Sequence, residues 1–137
     1  MKIDELKDGI VLDHIQAGLG MEIYNVLNLS EFDGQVALIQ NAKSKLMGKK
    51  DVLKIESNSD DIDLNKIAYI DSNLTVNIIK NGELAEKKKI SLPKTLKGVI
   101  HCKNPNCITN HENVESTFVL TDESTGTYRC LYCETTA

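Results

Sequence analysis

The chain has 137 residues and a formal net charge of −4, room for one average domain or two small ones. With 20 acids against 16 lysines and arginines, it has no cationic surplus for sequence-independent binding to nucleic acid. The N-terminus MKIDELKDG lacks a signal-peptide apolar run, and no stretch nears the ~18 apolar residues of a membrane span. The expectation is a cytoplasmic protein with neither nucleic acid nor membrane as partner.

Residues 10–15 (IVLDHI) read as a strand after Gly9. Leu19, Ile23, Val26 and Leu27 recur at helical spacing and predict a first helix. Residues 35–40 and 51–56 read as strands, with Lys43–Lys50 as a loop or hairpin connection. The run 58–61 reads as a loop ending in acids suited to a helix N-terminus. Leu64, Ile67 and Ala68 then give a short second helix. Residues 74–80 and 83–90 flank Asn81-Gly82, a hairpin dipeptide because both positions tolerate positive φ. The order β-α-β-β-α-β plus one strand predicts an α+β fold, an antiparallel sheet with two helices on one face (ferredoxin-like). Ser91-Leu92-Pro93 breaks the pattern and places a domain boundary, giving domains 1–93 and 94–137.

The second segment is expected to be a small all-β module. A strand from Gly98 to His101 leads to the first cysteine, and 118–120 with 127–129 form a hairpin. The chain's four cysteines are Cys102, Cys107, Cys130 and Cys133. Two close pairs on tight turns predict a four-thiolate zinc site, structural because no ligand position remains open for an activated water. In a reducing compartment this pattern reads as metal ligation; in a secreted protein it would read as two disulfides. A segment this small needs such a staple to fold. His101 and His111 read as exposed or loop residues.

The blocks GIVLDHIQAGLG, MGKKDVLKIES, LTVNIIKNGELAEK, SLPK and CKNPNCIT…YRCLYCE occur in this order. In them the chain resembles regulatory chains of aspartate carbamoyltransferase over nearly its whole length. The resemblance implies a non-catalytic subunit. Its first domain binds CTP, ATP and possibly UTP and pairs with a second regulatory chain. Its zinc domain docks on the catalytic chain of an enzyme of pyrimidine synthesis. It also implies a nucleotide site. Asp13 and His14 would hold the nucleotide near its phosphates, and Lys50 and Lys54 would serve base, ribose and phosphates. Asn77, Ile79, Leu84 and Lys87 would line the base pocket and supply a phosphate lysine. Ile3, Leu6, Val11 and Val52 match apolar or backbone contacts. The chain departs from the family pattern at Gly82, where an aromatic is frequent, and at Lys103, where proline is common.

The residues themselves speak to this in part. Lys50 and Lys54 are an even number apart on one strand, so both face one way. A triphosphate would relieve their repulsion. Strand alternation, however, puts Asp13 and His14 on opposite faces unless the strand bends there. The plainer readings are lysines as edge protection, Asp13-His14 as a surface pair, and Lys87-Lys88-Lys89 as a solvated strand end. A zinc-ribbon nucleic-acid binder is a competing function, as is a structural subunit without nucleotide control. An enzyme acting alone is disfavoured, since no nucleophile–base spacing or phosphate-cradling glycine loop occurs.

Overall fold

The computed structural model describes residues 7–57 and 64–137; the expectations at Ile3, Leu6 and 58–61 lie outside them. The chain divides into two compact units, Met1–Ser91 and Leu92–Ala137.

The first unit is a five-stranded sheet with two helices. Its strands are β1 (Gly9–Gln16), β2 (Val36–Ser44), β3 (Gly48–Glu56), β4 (Thr75–Lys80) and β5 (Glu83–Lys89). They lie in the order β2-β3-β1-β4-β5, and every neighbour is antiparallel. Helices α1 (Gly20–Val26) and α2 (Leu64–Ala68) follow β1 and β3, as the β-α-β-β-α-β order requires. Ile10, Leu12, Leu53, Ile55 and Val76 point to one side and form the main core with Ile23 of α1 and Ile67 of α2. Leu19 and Leu27 of the expected stripe pack there, joined by Leu29. Period-two alternation sends the intervening residues to the other side, which has a smaller cluster of Val11, Val52, Ile79 and Ile39.

Two positions differ from the sequence expectation. Strands β2 and β3 run through most of 43–50, leaving a turn at 45–47. Gly48 adopts φ 80, and the Met47 N–H donates to Ser44 Oγ at 3.1 Å, so the hairpin closes tightly. In the second unit the strand lies at β6 (Thr95–Lys97) rather than 98–101. Gly98, at φ 68, ends it and turns the chain toward Cys102. Strands β7 (Thr117–Asp122) and β8 (Thr127–Cys130) complete a sheet of order β6-β7-β8. Residues 135–137 run back along β8 through Thr136 opposite Arg129. Leu96, Phe118 and Tyr128 pack with three of the cysteines as the core.

One buried carboxylate organises the first unit. Asp51 is 0% exposed and accepts three backbone N–H groups, from Gly18 (3.0 Å), Gly20 (2.9 Å) and Asn41 (3.0 Å). The first two order the entry to α1, whose N-cap Leu19 has no side-chain cap of its own. The third holds a bulge in β2, where the register shifts between Ile39 and Ala42. Gly20 is obligatory here, since a Cβ would sit 2.8 Å from Asp51 Oδ2. Replacing Asp51 by Ala strands three donors and should cost about 2–4 kcal/mol, read as a lower urea midpoint.

Candidate functional site

β1 carries a second bulge, at the point where Asp13 and His14 need one. Leu12 pairs with Leu53 and Ile15 with Asp51, so Asp13 and His14 together face the single residue Val52. His14 takes φ 57, and its N–H donates to Asp13 Oδ1 at 2.7 Å. The extra residue resets the phase, so Ile15 joins the core although Val11 and Asp13 face away from it. Strict alternation fails locally, and the bulge removes the geometric objection to Asp13 and His14 acting together.

The antiparallel register lays the other expected residues out in rows on the face without helices. Ala37 pairs with Lys54, Lys54 with Val11, Val11 with Asn77, and Asn77 with Lys87. This row crosses all five strands, and residues directly opposite share a face. The neighbouring row holds Ile39, Val52, Asp13, Thr75 and Lys89. Ile79 pairs with Gly9 and with Leu84 one row the other way. Lysines 50, 54 and 87 thus surround the apolar strip Val11–Val52–Ile79. Lys54 is only 4% exposed, whereas Leu84 is 57% exposed.

Lys50 Nζ lies 2.8 Å from Asp13 Oδ1. Burial alone would raise the Asp13 carboxyl. The hydrogen bond from Lys50, the His14 N–H and the lysine charge outweigh burial and hold the carboxyl below its ordinary 3.8. The stabilising contribution of this pair is therefore present above that value and lost as pH falls through the lower folded one. His14 Nδ1 sits 3.2 Å from Thr75 Oγ1, a partner that the sequence reading missed. At the β4–β5 turn, Asn81 and Gly82 take φ 53 and 77. Lys7 O accepts the Gly82 N–H at 2.8 Å, and Asp8 Oδ1 accepts that of Asn81 at 3.2 Å. Space stands open beside Gly82 where a side chain would project.

In the second unit the four sulfurs all lie within 4.8 Å of one another. Cys102 and Cys133 are 3.5 Å apart, and Cys107 and Cys130 3.7 Å. A zinc tetrahedron with about 2.3 Å bonds has edges of about 3.8 Å, so the cluster fits one structural zinc. Burial pushes the Cys102 thiol up to about 12. Hydrogen bonding to Thr135 pulls Cys133 down to about 6, and Thr109 lowers Cys107. Thr109 and Thr135 each stand two residues after the second cysteine of a pair, with Oγ1 3.2 Å from its sulfur. That repeated Cys-x-Thr spacing was visible in the sequence and went unused. His111 Nε2 lies 2.6 Å from Pro105 O, outside the ligand set.

The family "Aspartate carbamoyltransferase regulatory chain, allosteric domain" matches residues 1–91, and its "metal binding domain" matches 94–137. A chain named aspartate carbamoyltransferase regulatory chain from Clostridium botulinum (strain Hall) is 50% identical over 98% of this chain and 92% of its own length. Namesakes from Clostridium tetani and Pyrococcus horikoshii are 44% and 40% identical, covering 98% and 99% of this chain and 94% and 91% of their own.

Two outcomes follow from the site geometry. Lys50→Met should move the Asp13 carboxyl upward in an NMR titration. Cys107→Ser should abolish stoichiometric zinc, measured by metal analysis, and unfold the second unit, because binding and folding are coupled there.

Proposed function

Because this chain belongs to the family of aspartate carbamoyltransferase regulatory chains, we propose that its first unit senses nucleoside triphosphates on the helix-free face of the sheet. The chain is a regulatory, non-catalytic subunit. The carrying observation is the row Ala37–Lys54–Val11–Asn77–Lys87, which sets cations on either side of an apolar strip. A flat base suits the strip, and a triphosphate suits lysines 50, 54 and 87 with His14 beside them. Asn77 offers an amide for base or ribose, and Ile79 and Leu84 extend the apolar wall. Val52 lies under the Asp13–His14 bulge.

CTP would inhibit and ATP activate the catalytic partner, with UTP a further effector. The mechanism is a population shift, in which a nucleotide binding one quaternary state better biases the enzyme toward it. In this reading two regulatory chains pair through their first units. The second unit, built by zinc, carries the effect to the catalytic chain, and the enzyme works at the head of pyrimidine synthesis in the cytoplasm. Four cysteines kept as metal ligands suit that reducing compartment.

The test is calorimetric titration of the zinc-loaded chain with CTP and, separately, ATP. Lys54→Met keeps the side-chain volume and removes the charge. It should weaken binding about 10- to 100-fold, the value of one charge-assisted contact, with zinc content unchanged. No binding of either nucleotide by the wild-type chain would leave it a zinc-dependent structural subunit.

A further inference from the structure

The four cysteines of the second unit differ in exposure. Cys102, Cys107 and Cys130 are buried, at 5%, 2% and 2%, whereas Cys133 is half-buried. The chain curls back toward that fourth sulfur. Glu134 takes φ 65, a left-handed conformation that disfavours any residue with a side chain and persists only where the surroundings enforce it. Here β8 enforces it. Glu134 N–H donates to Cys130 O, Cys130 N–H to Thr135 O and Ala137 N–H to Tyr128 O, each at 2.9 Å, and Thr136 lies opposite Arg129. With the backbone held on both sides of it, Thr135 has its Oγ1 set 3.2 Å from Cys133 Sγ.

We propose that Thr135 protects the metal site of the free chain: its hydroxyl donates to the Cys133 thiolate and slows attack by that sulfur on electrophiles, which would strip the zinc. The proposal rests on the four-thiolate zinc reading and adds which sulfur is vulnerable and what shields it. A metal-bound cysteine is a thiolate, the nucleophilic form. A hydroxyl donating to that anion makes a charge-assisted bond and draws on the electron pair that would attack. Burial already keeps reagents from the other three sulfurs. Thr109 Oγ1 stands equally close to Cys107 Sγ, at 3.2 Å, but there the sulfur is closed to reagents with or without it. In the attack, Cys133 Sγ forms a bond to the electrophilic carbon and its bond to the metal breaks. With a maleimide, the other alkene carbon takes a proton from water. Removing the hydroxyl leaves a more basic thiolate, which is intrinsically the better nucleophile and no weaker a ligand. Mere loosening of the loop would instead speed metal loss with or without an electrophile.

The experiment follows zinc release from the full-length, zinc-loaded chain into a chromophoric chelator, with and without N-ethylmaleimide. Thr135→Val keeps the branched shape and the backbone N–H and removes only the hydroxyl. It should release zinc about 10-fold faster than wild type in maleimide, the low end of what an outer contact to a metal ligand is worth. With chelator alone its release should be no faster than wild type. Thr135→Ser, which keeps the hydroxyl, should restore the wild-type maleimide rate, and Thr109→Val should leave that rate unchanged. Equal maleimide rates in Thr135→Val and wild type would overturn the proposal. So would acceleration of Thr135→Val by the same factor with chelator alone, which would make Thr135 a brace of the loop and nothing more. Should Thr135→Val fail to retain zinc, peptide mapping of the partly alkylated wild-type chain decides. Cys133 should carry the first label, and first labelling at Cys102, Cys107 or Cys130 would overturn the assignment. A wild-type chain that binds no stoichiometric zinc would instead overturn the zinc reading, and the proposal with it.

Discussion

The first unit depends on one carboxylate taken out of water. Asp51 is fully buried and survives there because three backbone N–H groups point at it. A buried charge with fewer donors would be a liability, since its hydration is lost without replacement. The same contacts define three pieces of backbone, namely the β1–α1 connection, the start of α1 and the β2 bulge. The seven-residue helix is too short to hold itself in water. It is ordered instead by Asp51 at its entry and by Ile23 against the sheet.

From this anchor the site follows by register. Asp51 lies opposite the β2 bulge, and Val52 opposite the β1 bulge. The two irregularities therefore flank consecutive residues of β3, one on each face. A third register shift lies between Ile78 and Ile79 where β4 meets β5; outside it, antiparallel pairing carries Lys54, Val11, Asn77 and Lys87 into one line. The helices close the opposite face, so one sheet can hold a core and present a surface. The second unit solves its smaller size differently. Its core of Leu96, Phe118 and Tyr128 is completed by cysteines, so the metal stands where further aliphatic residues would otherwise be needed.

Much of this was legible in the sequence. The apolar, β-branched runs at 10–15 and 74–80, the Asn81-Gly82 turn and the paired cysteines each carry a local physical signal, and each gave the right element. The parity of Lys50 and Lys54 assigned them to one face. What escaped was non-local. Nothing near Asp51 in sequence announces that Gly18, Gly20 and Asn41 will donate to it, because those donors meet only after the strands pair. The β1 bulge shows only in its pairing with β3, so period-two reasoning could bring Asp13 and His14 together only on the condition that the strand bends there, without being able to say that it does. Gly98 was read as opening a strand that it in fact ends, since its left-handed φ is dictated by the turn toward Cys102. Thr75 beside His14 lies 61 residues away in the chain.

Lys54 has one more consequence. Its side chain is almost entirely enclosed before any ligand arrives, so most of its rotational freedom was surrendered when the sheet folded. A flexible surface lysine gives up about 1.5–2 kcal/mol of side-chain entropy on being immobilised. Here that cost is part of folding, so in the proposed site an anion at Lys54 would meet a side chain already ordered. The free energy of such a contact would then go into affinity rather than into ordering the protein.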